Sequence, residues 1–75
     1  MTVSVHLDVR GLAPPQPMIA ILAWCRRAPA GESLEVRLAR DPVYLYPELA
    51  ELGFVATRVP GDAGEVRLRI ERGTP

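Results

Sequence analysis

Asp8-Val9-Arg10-Gly11-Leu12-Ala13-Pro14-Pro15-Gln16-Pro17 joins two different hydrophobic periods. Before it, Val3, Val5, Leu7 and Val9 alternate with Ser4, His6 and Asp8, the period-two pattern of a half-buried strand. After it, Met18, Ile21, Leu22 and Cys25 recur at intervals of three and four, an apolar stripe on a helix that starts at Pro15 or Gln16 and runs to Arg27. One glycine and three prolines within Gly11 to Pro17 make the junction stiff. Gly11 is expected at the bend, where it can take positive φ without steric cost. Pro15 and Pro17 fit a first helical turn, because the N–H groups they lack would have had no intrahelical acceptor there. The stretch therefore reads as a strand, a rigid loop and a helix start.

Pro29 disfavours helical geometry at Ala28, so the first helix should stop there, and Gly31 supplies a turn. Leu34, Val36 and Leu38 then alternate with Glu35, Arg37 and Ala39 as a second strand. Asp41-Pro42 reads as a helix or turn opener with Asp41 as a candidate N-cap, and Pro47 resets the start. The second helix is expected over Pro47 to Leu52, stopped by Gly53, while the pattern leaves Val43 to Tyr46 open between extended chain and an irregular turn. Phe54 to Val59 and Glu65 to Glu71 read as two further strands around the Pro60-Gly61-Asp62-Ala63-Gly64 turn, and Gly73 to Pro75 as a frayed tail. The order is β-α-β-α-β-β in a single domain spanning residues 1–75. One face of each clear strand is polar, so both helices should cover the other face in a two-layer α+β sandwich. A right-handed first crossover makes the first two strands parallel.

Nine basic and nine acidic residues cancel, so no net field recruits nucleic acid or an anionic membrane. All nine basic residues are arginine, which reads as the base composition of a GC-rich genome more than as a functional choice. One cysteine cannot form an internal disulfide, and with a single histidine it cannot build a Cys/His metal cluster, so no cofactor is expected. The longest apolar run, Met18 to Cys25, is far too short to span a bilayer, and the first residues lack a signal-peptide pattern. A soluble cytoplasmic protein, monomeric or weakly dimeric, is expected.

The junction also resembles the signature of the TusA/SirA family of small sulfur-carrier proteins, Gly-Leu-x-Cys-Pro-x-Pro at a strand-to-helix boundary. Gly11, Leu12, Pro15 and Pro17 fall on that pattern, and Pro14 falls on the family's reactive cysteine. The Asp-Pro after the second strand and the short Pro-to-Gly helix extend the likeness over nearly the whole chain, although the segment leading into that helix is shorter here. The resemblance implies a mixed four-stranded sheet in the order 1-2-4-3, with the last strand antiparallel to the others. Glu35 and Arg37 would then face Arg67, Arg69 and Glu71 across a solvated surface. In the family, a cysteine at the helix N-terminus has its thiolate stabilised by free amides and the helix dipole. Pro14 removes the sulfur and one N–H together, so the sulfurtransferase mechanism cannot run at this position.

Among the remaining candidates, Cys25 shares the apolar stripe and reads as a small core hydrophobe with a raised pKa. His6 has no paired nucleophile and reads as a surface histidine. Asp8 and Arg10 flank the loop, to tie it down or to meet a partner. Glu48 and Glu51, three residues apart, read as a solvated helix face rather than an acid/base pair. Trp24 lies toward the outer side of its helix, either lapping the sheet edge or anchoring a partner, and Tyr44 and Tyr46 sit in the proline-bounded segment; for these aromatics plain packing is favoured over a partner site. The leading expectation is a non-catalytic binding or regulatory protein that meets a protein partner through Arg10, Gly11, Leu12, Pro15 and Pro17. One alternative is a sulfur carrier with its thiol relocated to Cys25. A second is a nucleic-acid-binding module, against which the balanced charge weighs.

Overall fold

The computed structural model describes residues 3–73, in the order β1 (Val3–Asp8), α1 (Gln16–Arg27), β2 (Glu32–Leu38), α2 (Leu45–Glu51), β3 (Phe54–Val59) and β4 (Val66–Arg72). The strands form one sheet in the order β1-β2-β4-β3. β1 is parallel to β2, and β4 is antiparallel to both β2 and β3. This is the mixed α+β architecture expected from the element order and the resemblance.

The register explains the two layers. Leu34, Val36 and Leu38 of β2 lie opposite Ile70, Leu68 and Val66 of β4, and all six are buried. Ile21, Leu22, Trp24 and Cys25 of α1 and Leu45 and Leu49 of α2 join the same core, so both helices cover one face of the sheet. Burial along β1 rises toward the loop: Val3 is exposed, Val5 and Leu7 are half-buried, and Val9 just beyond the strand is 2% exposed. β1 is thus a lightly covered edge whose far end is pinned.

α1 begins and ends where its sequence directs. Pro15 is its N-cap and Pro17 sits in its first turn, while Ala28, held extended before Pro29, closes it with Arg26 and Arg27 in the last turn. Trp24 corrects the outward placement expected for it. It is 3% exposed, its Nε1 donates to Glu32 Oε1 at 2.8 Å, and its ring meets Phe54 edge-on with centroids 5.6 Å apart. Met18, by contrast, is only half-buried, so the core stripe is rotated toward Trp24 at the helix's C-terminal end.

α2 starts at Leu45, two residues before the expected Pro47. Pro47 therefore lies inside the first turn, where an amide has no helical acceptor to lose. Tyr44, not Asp41, is the N-cap residue, and it makes no side-chain capping bond. Gly53, at φ +83°, takes the left-handed conformation that ends the helix, and its N–H donates to Ala50 O at 3.1 Å. Gly73, expected in a frayed tail, is instead held to the sheet end: its N–H donates to Gly53 O at 2.8 Å. The rest of that expectation, Thr74 and Pro75, lies outside the described residues.

Candidate functional site

Because β1 and β2 are adjacent and parallel, the loops that follow them emerge side by side at one end of the sheet, the usual location of crevices in sheets with parallel strands. The first loop is fixed at its root. Val9 N donates to Arg37 O at 3.0 Å and Leu12 N to Val9 O at 3.1 Å. The Arg10 guanidinium grips Asp8 through Nε (2.9 Å) and Nη2 (2.7 Å), and Arg10 N also donates to Asp8 Oδ1 at 3.1 Å. These bonds hold the Asp8 carboxyl well below the usual carboxylate range and raise the Arg10 guanidinium. At the helix start Gln16 N donates to Ala13 O and Ile19 N to Pro15 O. The Pro14–Pro15 peptide bond is cis.

Gly11 does not take the conformation expected of it. The glycines with positive φ are Gly31, Gly53 and Gly64, and a Cβ built on Gly11 would meet no atom within 4 Å. Its backbone is one that other residues adopt, so the loop's shape rests on the Asp8–Arg10 bonds and the prolines.

The second loop runs from Ala39 to Tyr44. Leu45 N donates to Pro42 O at 2.8 Å and Val43 N to Asp41 O at 3.0 Å. Tyr46 Oη donates to Asp41 Oδ1 at 2.5 Å, and desolvation followed by Asp41 pushes the phenol up to about 12. Asp41 thus acts on the second tyrosine rather than on a helix end. Tyr46 is half-buried against the core, whereas Tyr44 is 51% exposed. Sequence periodicity could not separate them, because both lie where the period is lost.

Between the loops lies a cleft of about 580 Å³. The first loop contributes Arg10, Leu12, Pro14, Pro15 and Pro17, the second Arg40, Asp41, Pro42 and Tyr44, and the floor is Val9, Met18 and Leu38. Four of the five residues expected to meet a partner therefore share one concavity, and Gly11 alone does not line it. Leu12 is 47% exposed, and Ile19 and Val43 add exposed apolar surface. Such size and mostly apolar lining suit ligand recognition. Tyr44, one of the three aromatics weighed between packing and a partner contact, lines the cleft, and Arg40 is the member that sequence reasoning missed; the signal available was that loops after adjacent parallel strands must lie together.

On the opposite face of the sheet, the surface expected to be solvated holds a nearly buried carboxylate. The Glu65 side chain is 2% exposed; its Oε2 accepts from Arg37 Nε at 2.7 Å, and its Oε1 accepts from Arg67 Nη2 at 2.8 Å and Asp62 N at 2.7 Å. Arg10 Nη1 lies 3.7 Å from Oε2, so the cluster reaches the first loop. The Arg37 hydrogen bond is the main cause that lowers Glu65 to about 2. A Cβ on Gly61 would stand 2.8 Å from Glu65 Oε1 and 3.2 Å from Arg67 Cβ, so a side chain there would push the carboxylate or the turn aside. A neighbouring hollow of about 310 Å³ is lined by His6, Asp8, Glu35, Arg37 and Arg67, with His6 Nδ1 3.1 Å from Glu35 Oε2. No nucleophile stands beside His6 in that hollow.

Cys25 is 4% exposed, and burial pushes its thiol up despite Arg26 and Arg72. It does not line the cleft. The folded protein is expected to resist iodoacetamide at neutral pH and to add one carbamidomethyl group only in denaturant, read by intact mass. Rapid labelling of folded protein, with an apparent pKa below that of a free thiol, would reverse this assignment. Among the described residues no group of three or more His, Cys, Asp or Glu side chains is arranged to hold a metal ion, and no helix is long and apolar enough to cross a membrane.

A family model described as an uncharacterized conserved protein (DUF2249) matches residues 6–72, from the middle of β1 to the end of β4. Neither the curated proteins nor the solved structures contain a match to the chain.

Proposed function

The chain belongs to the DUF2249 family, and we propose that it is a non-catalytic binding module, a cysteine-less relative of the TusA/SirA sulfur carriers that engages a protein partner through the cleft. The observation that carries this reading is the convergence of Arg10, Leu12, Pro15 and Pro17 with Arg40 and Tyr44 around one apolar concavity. The exposed side chains of Leu12, Ile19, Val43 and Tyr44 extend it into a surface that a partner would desolvate. The relation to TusA/SirA is supported by Gly11, Leu12, Pro15 and Pro17 at a strand-to-helix junction and by the strand order β1-β2-β4-β3.

Sulfur transfer finds little support. Pro14 offers no nucleophile, and the burial of Cys25 weighs against a relocated thiol. A nucleic-acid interface is disfavoured as well, because Arg10, Arg37 and Arg67 are committed to carboxylates instead of forming a free basic stripe. The module is assigned to the cytoplasm as a monomer or weak dimer.

Affinity capture on the immobilised chain tests the reading. Leu12→Asp is expected to abolish retention of the captured partner, whereas Val55→Asp, at an equally exposed apolar position on β3, should leave it intact. Retention that survives both Leu12→Asp and Arg10→Ala would move the interface elsewhere.

A further inference from the structure

We propose that β1 is a dimerisation edge, which pairs antiparallel with β1 of a second copy of this chain and joins the two sheets into one. Three observations carry it: the outer main-chain groups of β1 are unpaired, the strand lacks the devices that keep edges apart, and its sequence matches itself across a two-fold axis.

The direction of each amide follows from the bonds at the two ends of the strand. Val3 N donates to Gly31 O and Val9 N to Arg37 O, so in the parallel ladder Val3, Val5, Leu7 and Val9 turn their main-chain groups toward β2. The N–H and C=O groups of Ser4, His6 and Asp8 point the other way, along an edge where no described strand lies. Edges are commonly blunted by proline, a bulge or charged side chains. β3, the other edge, carries Arg58 and runs into Pro60. Val3–Asp8 has no proline, lysine or arginine, and it pairs with β2 without a bulge. Its one carboxylate, Asp8, is neutralised by Arg10.

Side chains select the occupant. An antiparallel neighbour keeps core-facing residues opposite core-facing ones, so a second copy docks only in registers two residues apart. With His6 on the axis, Ser4 lies opposite Asp8 of the second copy, and all three outward residues form pairs that exchange both main-chain bonds. A hydroxyl then meets each carboxylate, and each imidazole on the axis keeps its own Glu35 partner at 3.1 Å. On the core face Val5 meets Leu7 of the second copy, and Val3, 56% exposed, comes against its Val9, so the apolar side chains that the core leaves open are covered. Sliding two residues toward the loop would set Ser4 opposite Arg10, whose N–H is already given to Asp8 Oδ1. Sliding the other way would carry Asp8 past Val3, the first described residue. A foreign strand could satisfy the same amides, but β1 itself supplies the matching hydroxyl–carboxylate and apolar pairs. One edge of this length buries little surface, so the dimer is weak and concentration-dependent, a two-fold contact of the same strand with itself.

The full chain is followed from about 10 µM to about 1 mM by sedimentation equilibrium and by amide hydrogen exchange read by NMR. The average mass is expected to rise from that of one chain toward that of two. The amides of Ser4, His6 and Asp8 should gain protection with concentration, while those of Val5 and Leu7 stay protected throughout. His6→Pro removes an outward N–H and no bond to β2, the kind of edge position that accepts proline, and should weaken self-association by about 10–100-fold. His6→Lys keeps the backbone, places like charges on the axis and should weaken it by about fivefold, with an unchanged circular dichroism spectrum. Leu12→Asp, in the cleft, should leave the dimer intact. A chain still monomeric at about 1 mM, or a dimer in which the three outward amides exchange freely, would overturn the proposal. A dimer that Leu12→Asp dissolves and both His6 variants keep would move self-association to the cleft. Protection of the outward amides only when another protein is added would make the edge a site for a foreign strand and overturn the second copy.

Discussion

Trp24→Ala is expected to lower the unfolding free energy by about 3–5 kcal/mol, the range for emptying a buried aromatic site. That is a large share of the roughly 5–10 kcal/mol that a chain of this size holds in total. The side chain joins α1 to β2 through Glu32 and to β3 through Phe54, and Arg72 of β4 lies 5.0 Å over the Phe54 ring while bonding Ala28 O at the helix end. Three elements, α1, β2 and β3, therefore lose a common contact when the indole is removed. Trp24→Phe keeps most of the ring and loses the N–H donor, and should cost about 1–3 kcal/mol. Because Trp24 is the only tryptophan, urea denaturation must be followed by far-ultraviolet circular dichroism rather than fluorescence. A Trp24→Ala midpoint close to that of the wild type would return the residue to the surface.

Glu65→Gln is expected to lower Tm at pH 7 by on the order of 10 °C. Arg37 and Arg67 stand directly opposite each other in the β2–β4 register, a like-charge pairing that is unfavourable unless an anion joins it. Glu65 is that anion. Its pKa falls from the ordinary 4.5 to about 2 on folding, so its contribution is fully present above pH 4.5 and disappears as the pH drops from there toward 2. The Tm gap between wild type and Glu65→Gln should therefore be widest near neutrality and close across that window. Asp8 is also held low, but its pair with Arg10 is solvent-exposed and adds little. A gap unchanged from pH 7 to pH 2 would mean that the carboxylate acts by shape alone.

The strands, the first helix and the turns were legible because each rests on a local rule. Alternation marked β2, β3 and β4, Pro29 stopped α1, and Gly53 stopped α2. What misled was a residue whose role is set by distant parts of the chain. Pro47 looked like a helix start because proline is favoured there, yet the whole first turn tolerates it, and packing of Leu45 at 0% exposure drew the helix back by two residues. Trp24 was assigned to the outside by a wheel centred on Met18 and Cys25, but the core rotates toward β3, where Phe54 waits. Glu65 sits on the polar face by alternation, and only the convergence of three arginines from separate elements takes it out of water. The cleft was half legible: the loop of residues 10–17 announced itself through glycine and proline and Tyr44 stood out as an aromatic between prolines, while Arg40, and the meeting of the two loops, required the parallel pairing of β1 and β2.

The prolines of the cleft have a consequence for the thermodynamics of association. Pro14, Pro15, Pro17 and Pro42 hold their φ angles near one value even in the unfolded chain, and Arg10 is clamped to Asp8 before any partner arrives. Docking of the proposed partner would therefore order little backbone on the cleft side, and the entropic cost would fall mainly on the incoming segment. Affinity would then be set by how rigid that segment already is, so a partner presenting it on a formed helix would outcompete the same residues on a free peptide.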